Sequence, residues 1–393
     1  MADLSVTVHG TRFRNPVLPA AGPNVRTGRM MQSAAEGGAG GIVSKTVSTR
    51  PADDKRPTIR RTTNGGLMNS ETWSEIPVEE YLADLAEAKE SGLPLIVSVG
   101  YQPEEVRELG RLIEREIAPD AFEFSTHYTG KETAPLVEVA RALREAVHVP
   151  VWMKVSPNFP DIPALARAVA PYVDGFVAIN SYGPVLDFDP EKPVRRLGSP
   201  DGTGWLSGPP IRPIALRIVY ELTHSQEKPV MGVGGIASGR DAVQFIMAGA
   251  TLVQVCTAAI RRGHKVYGKI AAEIDTWLDE HGYDSVDAIR DLYDVAAPAT
   301  PATPGDAKGA AGATAIEAGG PGAPGGGRGR SSHVMTIVRE NCTGCKACMG
   351  SCIHGALSMD GEVAAVDAER CIGCGYCQDS CRYDAMKLEV RPA

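Results

Sequence analysis

Residues 228–256 read KPVMGVGGIASGRDAVQFIMAGATLVQVC, and they contain the repeating unit of the fold. Two short apolar runs, 228–233 and 251–256, enclose a glycine-rich turn and a helical segment. Continuous apolar runs of this length, rich in β-branched residues, are typical of parallel strands that are buried on both faces. The stretch therefore predicts a strand–helix–strand unit of a parallel sheet.

The same unit recurs through residues 1–295. Six further apolar runs read as buried strands: PVLPA (16–20), GIVSK (41–45), PLIVSV (94–99), AFEFST (121–126), VPVWMKV (149–155) and GFVAIN (175–180). Amphipathic segments lie between the runs, at 77–91, 103–117, 134–147 and 211–224. Eight such repeats over about 250–300 residues are typical of an α/β fold of the (β/α)8 TIM barrel type. A doubly wound open sheet is the alternative, but it would normally have a GxGxxG turn after its first strand, and none appears there.

The composition changes at residue 296. Residues 296–332 are dominated by Ala, Pro and Gly and contain no aromatic residue. Such a segment cannot bury enough apolar surface to offset its ordering entropy, so we predict a flexible linker with a typical span of roughly 30–35 Å. Residues 333–393 are too few for a large core, so this part needs additional stabilisation, which its cysteines would supply. We therefore predict a barrel (1–295), a linker (296–332) and a small C-terminal domain (333–393).

Eight of the nine cysteines lie between residues 342 and 381, in two copies of one spacing. NCTGCKACMGSC (341–352) and RCIGCGYCQDSC (370–381) both follow the pattern C-x2-C-x2-C-x3-C. In two-cluster ferredoxins of the bacterial type, which are small α+β domains, each [4Fe–4S] cluster takes three thiolates from one copy and the fourth from the other. Zinc is the alternative, although zinc sites rarely use two tandem four-cysteine runs. The predicted ligand sets are Cys342, Cys345, Cys348 and Cys381 for cluster one, and Cys371, Cys374, Cys377 and Cys352 for cluster two.

Composition and charge exclude several classes of protein. The 393 residues carry a net charge of −8 and no basic tract, so we expect no nucleic acid and no membrane among the partners. The N-terminus lacks the charged and apolar regions of a signal peptide, and no apolar run approaches the roughly 18–20 residues that span a bilayer. Thiols at two-residue intervals suit metal ligation in a reducing compartment. We expect a cytoplasmic protein.

The carboxyl ends of the barrel strands are where the chemistry of a TIM barrel lies. Lys45 and Lys154 each end an apolar run, and lysine is seldom buried without a partner. This favours functional lysines over ordinary solvated ones. The glycines of GVGGIASGRDA (232–242) would let the backbone approach a ligand, and the N-terminus of the following helix would offer free N–H groups. We expect a phosphate site here, with an ordinary glycine-rich turn as the alternative.

Several motifs together resemble the family of dihydroorotate and dihydropyrimidine dehydrogenases. They are NPVLPAAGP (15–23), SKTVS (44–48), WMKVSPN (152–158), INS (179–181), SGPPIRPIALR (207–217) and the stretch 232–258. The resemblance implies that the barrel binds FMN, with Lys154 near the flavin N1, where a cation stabilises the anionic reduced form. It implies substrate contacts from Asn69, Asn180 and Ser181. The implied flavin contacts are Ala21, Gly22, Lys45, Thr46, Lys154, Asn180, Ser207, Gly208, Gly234, Gly235, Cys256 (through its backbone) and Thr257.

The sequence departs from this family in its catalytic stretch, which reads N-L-S-C-P-N or N-L-S-C-P-H. The family cysteine, which exchanges a proton with the substrate, aligns with Thr126, the proline with His127, and the two flanking positions with Glu123 and Tyr128. A threonine hydroxyl is a weak acid–base, whereas histidine titrates near neutral pH. We hypothesise that His127 or Tyr128 replaces the cysteine, relaying through Thr126; the alternative is that Thr126 does so itself. Glu123 is expected either to pair with Lys154 or to bind a cationic or N–H-rich substrate.

A second departure concerns the residue after each fourth cysteine. It is usually proline in two-cluster ferredoxins, and here it is Ile353 and Arg382. The eight ligands are unaffected, but the two loops are less constrained.

The resemblance and the cysteine motifs together predict an FMN- and iron–sulfur-dependent oxidoreductase. It would act on a C=C or CH–CH bond conjugated to a carbonyl or imine, exchange hydride at the flavin N5, and relay electrons through two [4Fe–4S] clusters. The alternatives are a dihydropyrimidine or dihydroorotate dehydrogenase with an unusual Thr/His base, or an electron-transfer adaptor without its own reaction. We expect a small-molecule substrate, a homodimer, and a separate electron partner, either an FAD/NAD(P)H subunit or a ferredoxin or flavodoxin.

Overall fold

A closed barrel of parallel strands forms the larger part of the chain. The computed structural model describes residues 2–125, 130–295 and 332–391. Within these residues, one sheet holds eight parallel strands, and each coincides with an apolar run of the sequence. They are β1 (Val17–Pro19), β2 (Ile42–Val43), β3 (Leu95–Val99), β4 (Ala121–Ser125), β5 (Val151–Val155), β6 (Gly175–Ala178), β7 (Val230–Val233) and β8 (Leu252–Val255).

The order of the strands confirms the predicted (β/α)8 topology. The sheet runs β1-β8-β7-β6-β5-β4-β3-β2, so neighbours in space are neighbours in sequence. A hydrogen bond from the Gly40 amide to the Val17 carbonyl, 2.8 Å, joins the segment before β2 to β1 and closes the ring. All strand residues from β3 to β5 are buried, because helices cover the outside and side chains fill the inside.

Helices surround the barrel, and each predicted amphipathic segment forms one. Their bounds are α1 (Gly28–Glu36), α2 (Val78–Lys89), α3 (Pro103–Ile117), α4 (Ala134–Arg144), α5 (Ile162–Val169), α6 (Arg212–Ser225), α7 (Gly239–Met247), α8 (Thr257–Arg262), α9 (Val266–His281) and α10 (Leu292–Val295). Short 3-10 turns lie at Pro23–Val25, Ala170–Tyr172, Pro209–Ile211 and Asp287–Ile289. None of the helices in the described ranges combines the length and the apolarity needed to cross a bilayer.

Helix α3 illustrates why these segments are helical. Val106, Leu109 and Ile113 recur at helical spacing and are 0–1% exposed, so one face packs on the barrel. A capping box between Gln102 and Glu105 satisfies amide groups at its start, and Pro103 occupies the first turn, where no amide donor is needed.

Two antiparallel sheets close the ends of the barrel, and the sequence did not predict either of them. A hairpin of Val6–Val8 and Thr11–Phe13 precedes β1. A four-stranded sheet, here called the cover sheet, lies beside the carboxyl ends of the barrel strands. Its strand order is Tyr182–Val185, Gly204–Ser207, Leu67–Asn69 and Ile59–Arg61.

The C-terminal unit, residues 332–391, folds around the cysteines. His333–Ile337 pairs with Met386–Val390, and Leu357–Asp360 pairs with Val363–Val366, both antiparallel. Its helical parts are 3-10 turns at Arg339–Asn341, Met349–Ser351 and Tyr376–Ser380. Met335, Cys348, Ala364, Cys377 and Met386 form its small core. The ferredoxin-like fold predicted for this part is confirmed.

The predicted linker, 296–332, lies outside the described residues except for Ser332. The Ser332 carbonyl accepts a hydrogen bond of 2.8 Å from the Arg391 amide, so this residue closes the C-terminal unit. The domain boundaries otherwise stay a prediction.

Candidate active site and cluster-binding unit

A cleft at the carboxyl end of the barrel gathers most of the predicted site residues. It encloses about 990 Å³, part of it open to solvent. Asn69, Ser181 and all twelve residues that the resemblance implied for the flavin line this cleft. Thr126, His127 and Tyr128, the candidates for proton transfer, lie outside the described residues.

A buried ion pair stands in the wall of the cleft. Lys154, on β5, donates from Nζ to Oε1 of Glu123, on β4, at 3.1 Å, and to Oε1 of Gln254, on β8, also at 3.1 Å. The Gln254 amide in turn donates to Oε2 of Glu123 at 2.8 Å. These three side chains are 0–5% exposed. Burying an isolated charge at this depth would cost free energy, and the opposite charge of the partner offsets this cost.

This geometry corrects one assignment. Glu123 does not line the cleft, whereas its two partners Lys154 and Gln254 do. Both carboxylate oxygens are already engaged by those partners. Glu123 is therefore the counter-ion of a lysine in the wall rather than a substrate-binding residue, as one of the two expectations for it stated.

A second lysine of the cleft is paired in the same way. Lys45 Nζ lies 3.4 Å from Glu71 Oε2, and both side chains are about nine-tenths buried. Burial raises the pKa of Glu71, but the charges of Lys45, Arg56 and Arg26 and a hydrogen bond from Thr58 outweigh burial and hold the pKa below its ordinary value. Glu71 is thus ionised, and the cleft contains a carboxylate beside Lys45.

The end of the cleft near β7 and β8 is built from backbone and small side chains. Gly208, Gly234 and Gly235 line it together with Ser207 and Thr257, whose hydroxyls are hydrogen-bonded at 2.9 Å. At Gly235 the backbone has φ +77°, and a Cβ would lie 2.8 Å from the Gly208 carbonyl oxygen, so only glycine fits. The surface is uncharged, close to backbone amides and open enough for a phosphate.

In the helix that follows this turn, two of the amides expected to be free are bonded to side chains of the protein. In α7, the Gly239 amide donates to Glu273 at 2.6 Å and the Asp241 amide to Ser238 at 3.2 Å. The Ala237 amide donates to Asp241 at 2.9 Å. Side chains of the protein therefore cap this N-terminus, and the phosphate prediction rests on the glycine turn rather than on the helix.

Asparagines and a serine converge at the ends of β4 and β6. Asn180 Nδ2 donates to Ser125 Oγ at 2.9 Å, and its Oδ1 accepts from the Ser181 amide at 2.9 Å. Asn69, on the cover sheet, donates to the Trp205 carbonyl at 3.1 Å. In the sequence, Ser125 immediately precedes Thr126, the first residue of the predicted proton-transfer segment.

Cys256 behaves as a packing residue. Burial raises the pKa of its thiol to about 11, and its Sγ donates to Asn24 Oδ1 at 3.1 Å. A protonated, hydrogen-bonded thiol agrees with the expectation that this residue contributes its backbone.

These residues fit a flavin mononucleotide. The cleft offers a glycine turn for a phosphate, lysines in its wall and amide side chains at the strand ends. Lys45, Lys154 and Asn180 would face the ring system, and Ser207, Gly234, Gly235 and Thr257 would hold the phosphate end. When bound, the flavin supplies hydride exchange with the substrate.

The eight cysteines of the C-terminal unit form two groups, each drawing on both copies of the motif. Cys342, Cys345 and Cys381 are neighbours of Cys348, and together these four line one cavity. Cys371, Cys374 and Cys352 are the corresponding neighbours of Cys377. Each group therefore offers four thiols, the number that a [4Fe–4S] cluster binds.

The cluster-two side of this unit packs against the cover sheet. The Ile59 amide donates to the Cys374 carbonyl at 3.1 Å. Arg60 donates to the Gly375 carbonyl at 2.7 Å and to Gln378 at 3.0 Å. At Gly375, φ is +84° and a Cβ would lie 2.8 Å from Pro57, which requires glycine. The contact is therefore specific in shape as well as in charge.

Apolar residues complete this interface. Tyr376 packs with Ile59, Leu67 and Ile260 of the barrel domain in one buried cluster, and Ile353 adjoins it. Ile353 is the residue that replaces the usual proline after Cys352, so this departure contributes to docking. His354 is buried beside it, and burial with the nearby charge of Arg26 lowers its pKa to about 3, so the imidazole is neutral.

Sequence reasoning missed several residues of the cleft, among them Glu71, Tyr101, Ser125 and Gln254. The sequence does indicate a special role for Gln254, since it is a polar residue within the apolar run 251–256. Glu71 and Tyr101 come from loops whose path the strand pattern does not specify.

Comparison with known proteins agrees with this geometry. The model of the dihydroorotate dehydrogenase family matches residues 3–278, and that of the 4Fe-4S dicluster domain matches residues 341–385. The catalytic subunit of dihydroorotate dehydrogenase B (NAD(+)) from Methanocaldococcus jannaschii is 32% identical over 292 residues, which are 70% of this chain and 94% of that protein. Its counterparts from Pyrococcus abyssi and Methanosarcina mazei are 34% and 35% identical, over 73% and 74% of this chain and 97% and 95% of those proteins.

These matches include the barrel and the cluster-binding unit. The chain belongs to the dihydroorotate dehydrogenase family, and it is an FMN- and iron–sulfur-dependent oxidoreductase that acts on CH–CH bonds and carries two [4Fe–4S] clusters.

Proposed function

We propose that this enzyme acts on a cyclic substrate whose C=C or CH–CH bond is conjugated to a carbonyl or imine, and that it exchanges electrons with a separate protein through its C-terminal unit. The observation that supports this most is the contact between the two parts of the chain. Ile59 lines the cleft, and its amide is bonded to the carbonyl of Cys374, a predicted cluster-two ligand.

The two groups of cysteines differ in their surroundings. Cys374 adjoins the barrel domain, whereas Cys345 of the other group is exposed. When bound, the clusters carry single electrons between the cleft and the surface. We infer that cluster two faces the cleft and that cluster one faces the electron partner, either an FAD/NAD(P)H subunit or a soluble ferredoxin or flavodoxin.

The charges in the cleft bear on the substrate. Lys45 is paired with Glu71 and Lys154 with Glu123, so neither lysine of the described wall is left to neutralise a substrate carboxylate. Burying a carboxylate without a counter-ion is costly. We infer that the substrate is an uncharged ring whose N–H groups donate hydrogen bonds to a carboxylate such as Glu71.

Proton transfer is assigned to the segment beyond β4. We propose that His127 or Tyr128, through Thr126, exchanges the proton with the substrate. The supporting observation is that Ser125, which precedes this segment in the sequence, lines the cleft and is hydrogen-bonded to Asn180. If both His127→Ala and Tyr128→Phe leave hydride transfer at its normal rate in rapid-mixing flavin kinetics, Thr126 alone remains as the proton donor.

Dihydroorotate dehydrogenation is the second candidate, favoured by the names and 31–35% identity of the relatives. The two candidates separate in one experiment. Anaerobic holoenzyme is mixed with dihydroorotate, dihydrouracil or dihydrothymine, and flavin bleaching is followed; the reverse direction uses reduced enzyme with orotate, uracil or thymine. Our proposal expects faster reaction with uncharged rings. Reaction with the carboxylate-bearing pair alone would contradict it.

The same sample tests whether the protein is an adaptor without its own reaction. Purified protein that lacks flavin absorbance would favour an adaptor. A homodimer stays a prediction from the family resemblance, and sedimentation of the holoenzyme checks it.

A further inference from the structure

Glu123 differs from the wall residues around it because it is a charge that no ligand can reach. It is completely buried, and it meets Lys154 at 3.1 Å and Gln254 at 2.8 Å. Lys154 is the residue of this group that borders the cleft with a full charge. Glu123 can therefore act on a bound molecule only through its electrostatic field and through its partners Lys154 and Gln254, not by contact.

The charge of Lys154 is partly offset by its counter-ion. An ammonium group beside a flavin favours the negatively charged reduced form. A carboxylate 3.1 Å from the same ammonium has the opposite sign, so its potential at a ring in the cleft opposes that of the lysine and reduces it. In the family stretch quoted above, asparagine stands at this position, and asparagine would leave the lysine charge uncompensated.

We propose that Glu123 is a positioning residue that lowers the reduction potential of the bound flavin by neutralising Lys154. This inference rests on the proposed function, because it requires a flavin beside Lys154. A flavin with a low potential gives up electrons readily, so the enzyme would favour reduction of its unsaturated substrate. The electrons for that direction come from the external partner by way of the C-terminal unit.

The test uses single and double charge replacements in the holoenzyme. Glu123→Gln keeps the shape and the hydrogen-bonding capacity but leaves Lys154 unpaired, and the midpoint potential of the flavin should rise. We expect at least a tenfold change in the ratio of reduced to oxidised flavin at a fixed potential, which is about 30 mV for a two-electron couple. Lys154→Gln leaves the carboxylate unpaired and should lower the potential.

The double variant Glu123→Gln/Lys154→Gln removes both charges and should have a potential between those of the two single variants. Glu123→Asp, which keeps the carboxylate, should stay near the wild-type value. Spectroelectrochemical titration of the flavin gives the potentials, and flavin content with a thermal melt shows whether each variant folds. A merely structural role would not produce shifts of opposite sign in the single variants with an intermediate potential in the double variant.

The outcomes are distinct. Equal potentials in wild type and Glu123→Gln, with flavin retained, overturn the inference. If Glu123→Gln does not fold, the comparison of Lys154→Gln with the double variant decides: equal potentials in these two, with flavin retained, overturn the inference. Wild-type protein without flavin would instead refute the proposed function.

Discussion

Replacing Arg60 with methionine should loosen the C-terminal unit from the barrel. The arginine donates to the Gly375 carbonyl at 2.7 Å and to Gln378 at 3.0 Å, and it lies 3.8 Å from Asp379. Methionine retains most of the apolar stem but none of the donors. Hydrogen bonds from a charged group contribute about 1.5–3 kcal/mol each. Because water replaces part of this in the undocked state, we take the lower value for the two bonds, about 3 kcal/mol.

This free energy corresponds to about a 140-fold larger undocked population, at 1.4 kcal/mol per factor of ten. The most direct reporter is the Ile59 amide, which donates to the Cys374 carbonyl across the interface. Its hydrogen exchange requires undocking, so the exchange rate in Arg60→Met should rise by about two orders of magnitude when opening is a rapid pre-equilibrium. Reduction of the clusters after flavin reduction should slow in parallel.

Arg14→Met is the matched control. Arg14 also donates to two backbone carbonyls, those of Ala39 and Ala35, but it lies at the other end of the barrel. It should leave exchange at Ile59 unchanged. If the Ile59 amide of Arg60→Met exchanges hydrogen at the wild-type rate while the cluster content is normal, Arg60 does not hold the two parts together.

Three further predictions concern separate parts of the molecule. Cys352→Ser should impair cluster two and spare cluster one, although Cys352 belongs to the first motif in sequence; iron analysis should fall from about eight towards about four per chain, and loss of the other cluster's electron paramagnetic resonance signal would be the contrary result. Burial raises the pKa of Asp54 to about 6, so folding favours its protonated form. The free energy of unfolding should therefore be highest below about pH 4 and should fall as pH rises through 6, with a loss of about 3 kcal/mol at pH 7. Asp54→Asn should therefore flatten the pH dependence of urea unfolding between pH 4 and 7, and an unchanged profile would contradict this. Glu71→Gln should tighten orotate binding by about tenfold, or about 1.4 kcal/mol, in titrations of the flavin spectrum, with little gain for uracil; equal effects on both ligands would show that Glu71 does not select against a carboxylate.

The barrel could be predicted because its signals are local. Runs such as 94–99 and 149–155 are continuous and apolar, and only a strand covered on both faces suits them. The cysteine spacing likewise predicted which thiols would gather, and Cys348 and Cys381 indeed belong to one group.

The cover sheet could not be predicted in this way. Its strands Ile59–Arg61 and Gly204–Ser207 are short and lack regular alternation, and Gly204–Ser207 pairs with Leu67–Asn69 across more than a hundred residues of sequence. The docking of Arg60 on Gly375 joins positions more than three hundred residues apart. Neither residue type is unusual for a solvated surface, so only the fold reveals their role. Glu123 could be predicted in part. A charged residue within the apolar run 121–126 indicates that a buried partner exists, but the sequence does not show which residue it is.

The contact between Ile59–Arg61 and the C-terminal unit has a consequence for how the chain can be divided. Ile59–Arg61 is the edge of its sheet, and unpaired edge strands promote pairing with other molecules. Here the amides of Ile59 and Arg61 donate hydrogen bonds to Cys374 and Asp379. The C-terminal unit therefore covers the edge of the cover sheet. Truncation at residue 295 would remove this protection and uncover Leu67 and Ile260 at the same time. The barrel alone should therefore aggregate more readily than the whole chain, even though every strand of the barrel would remain.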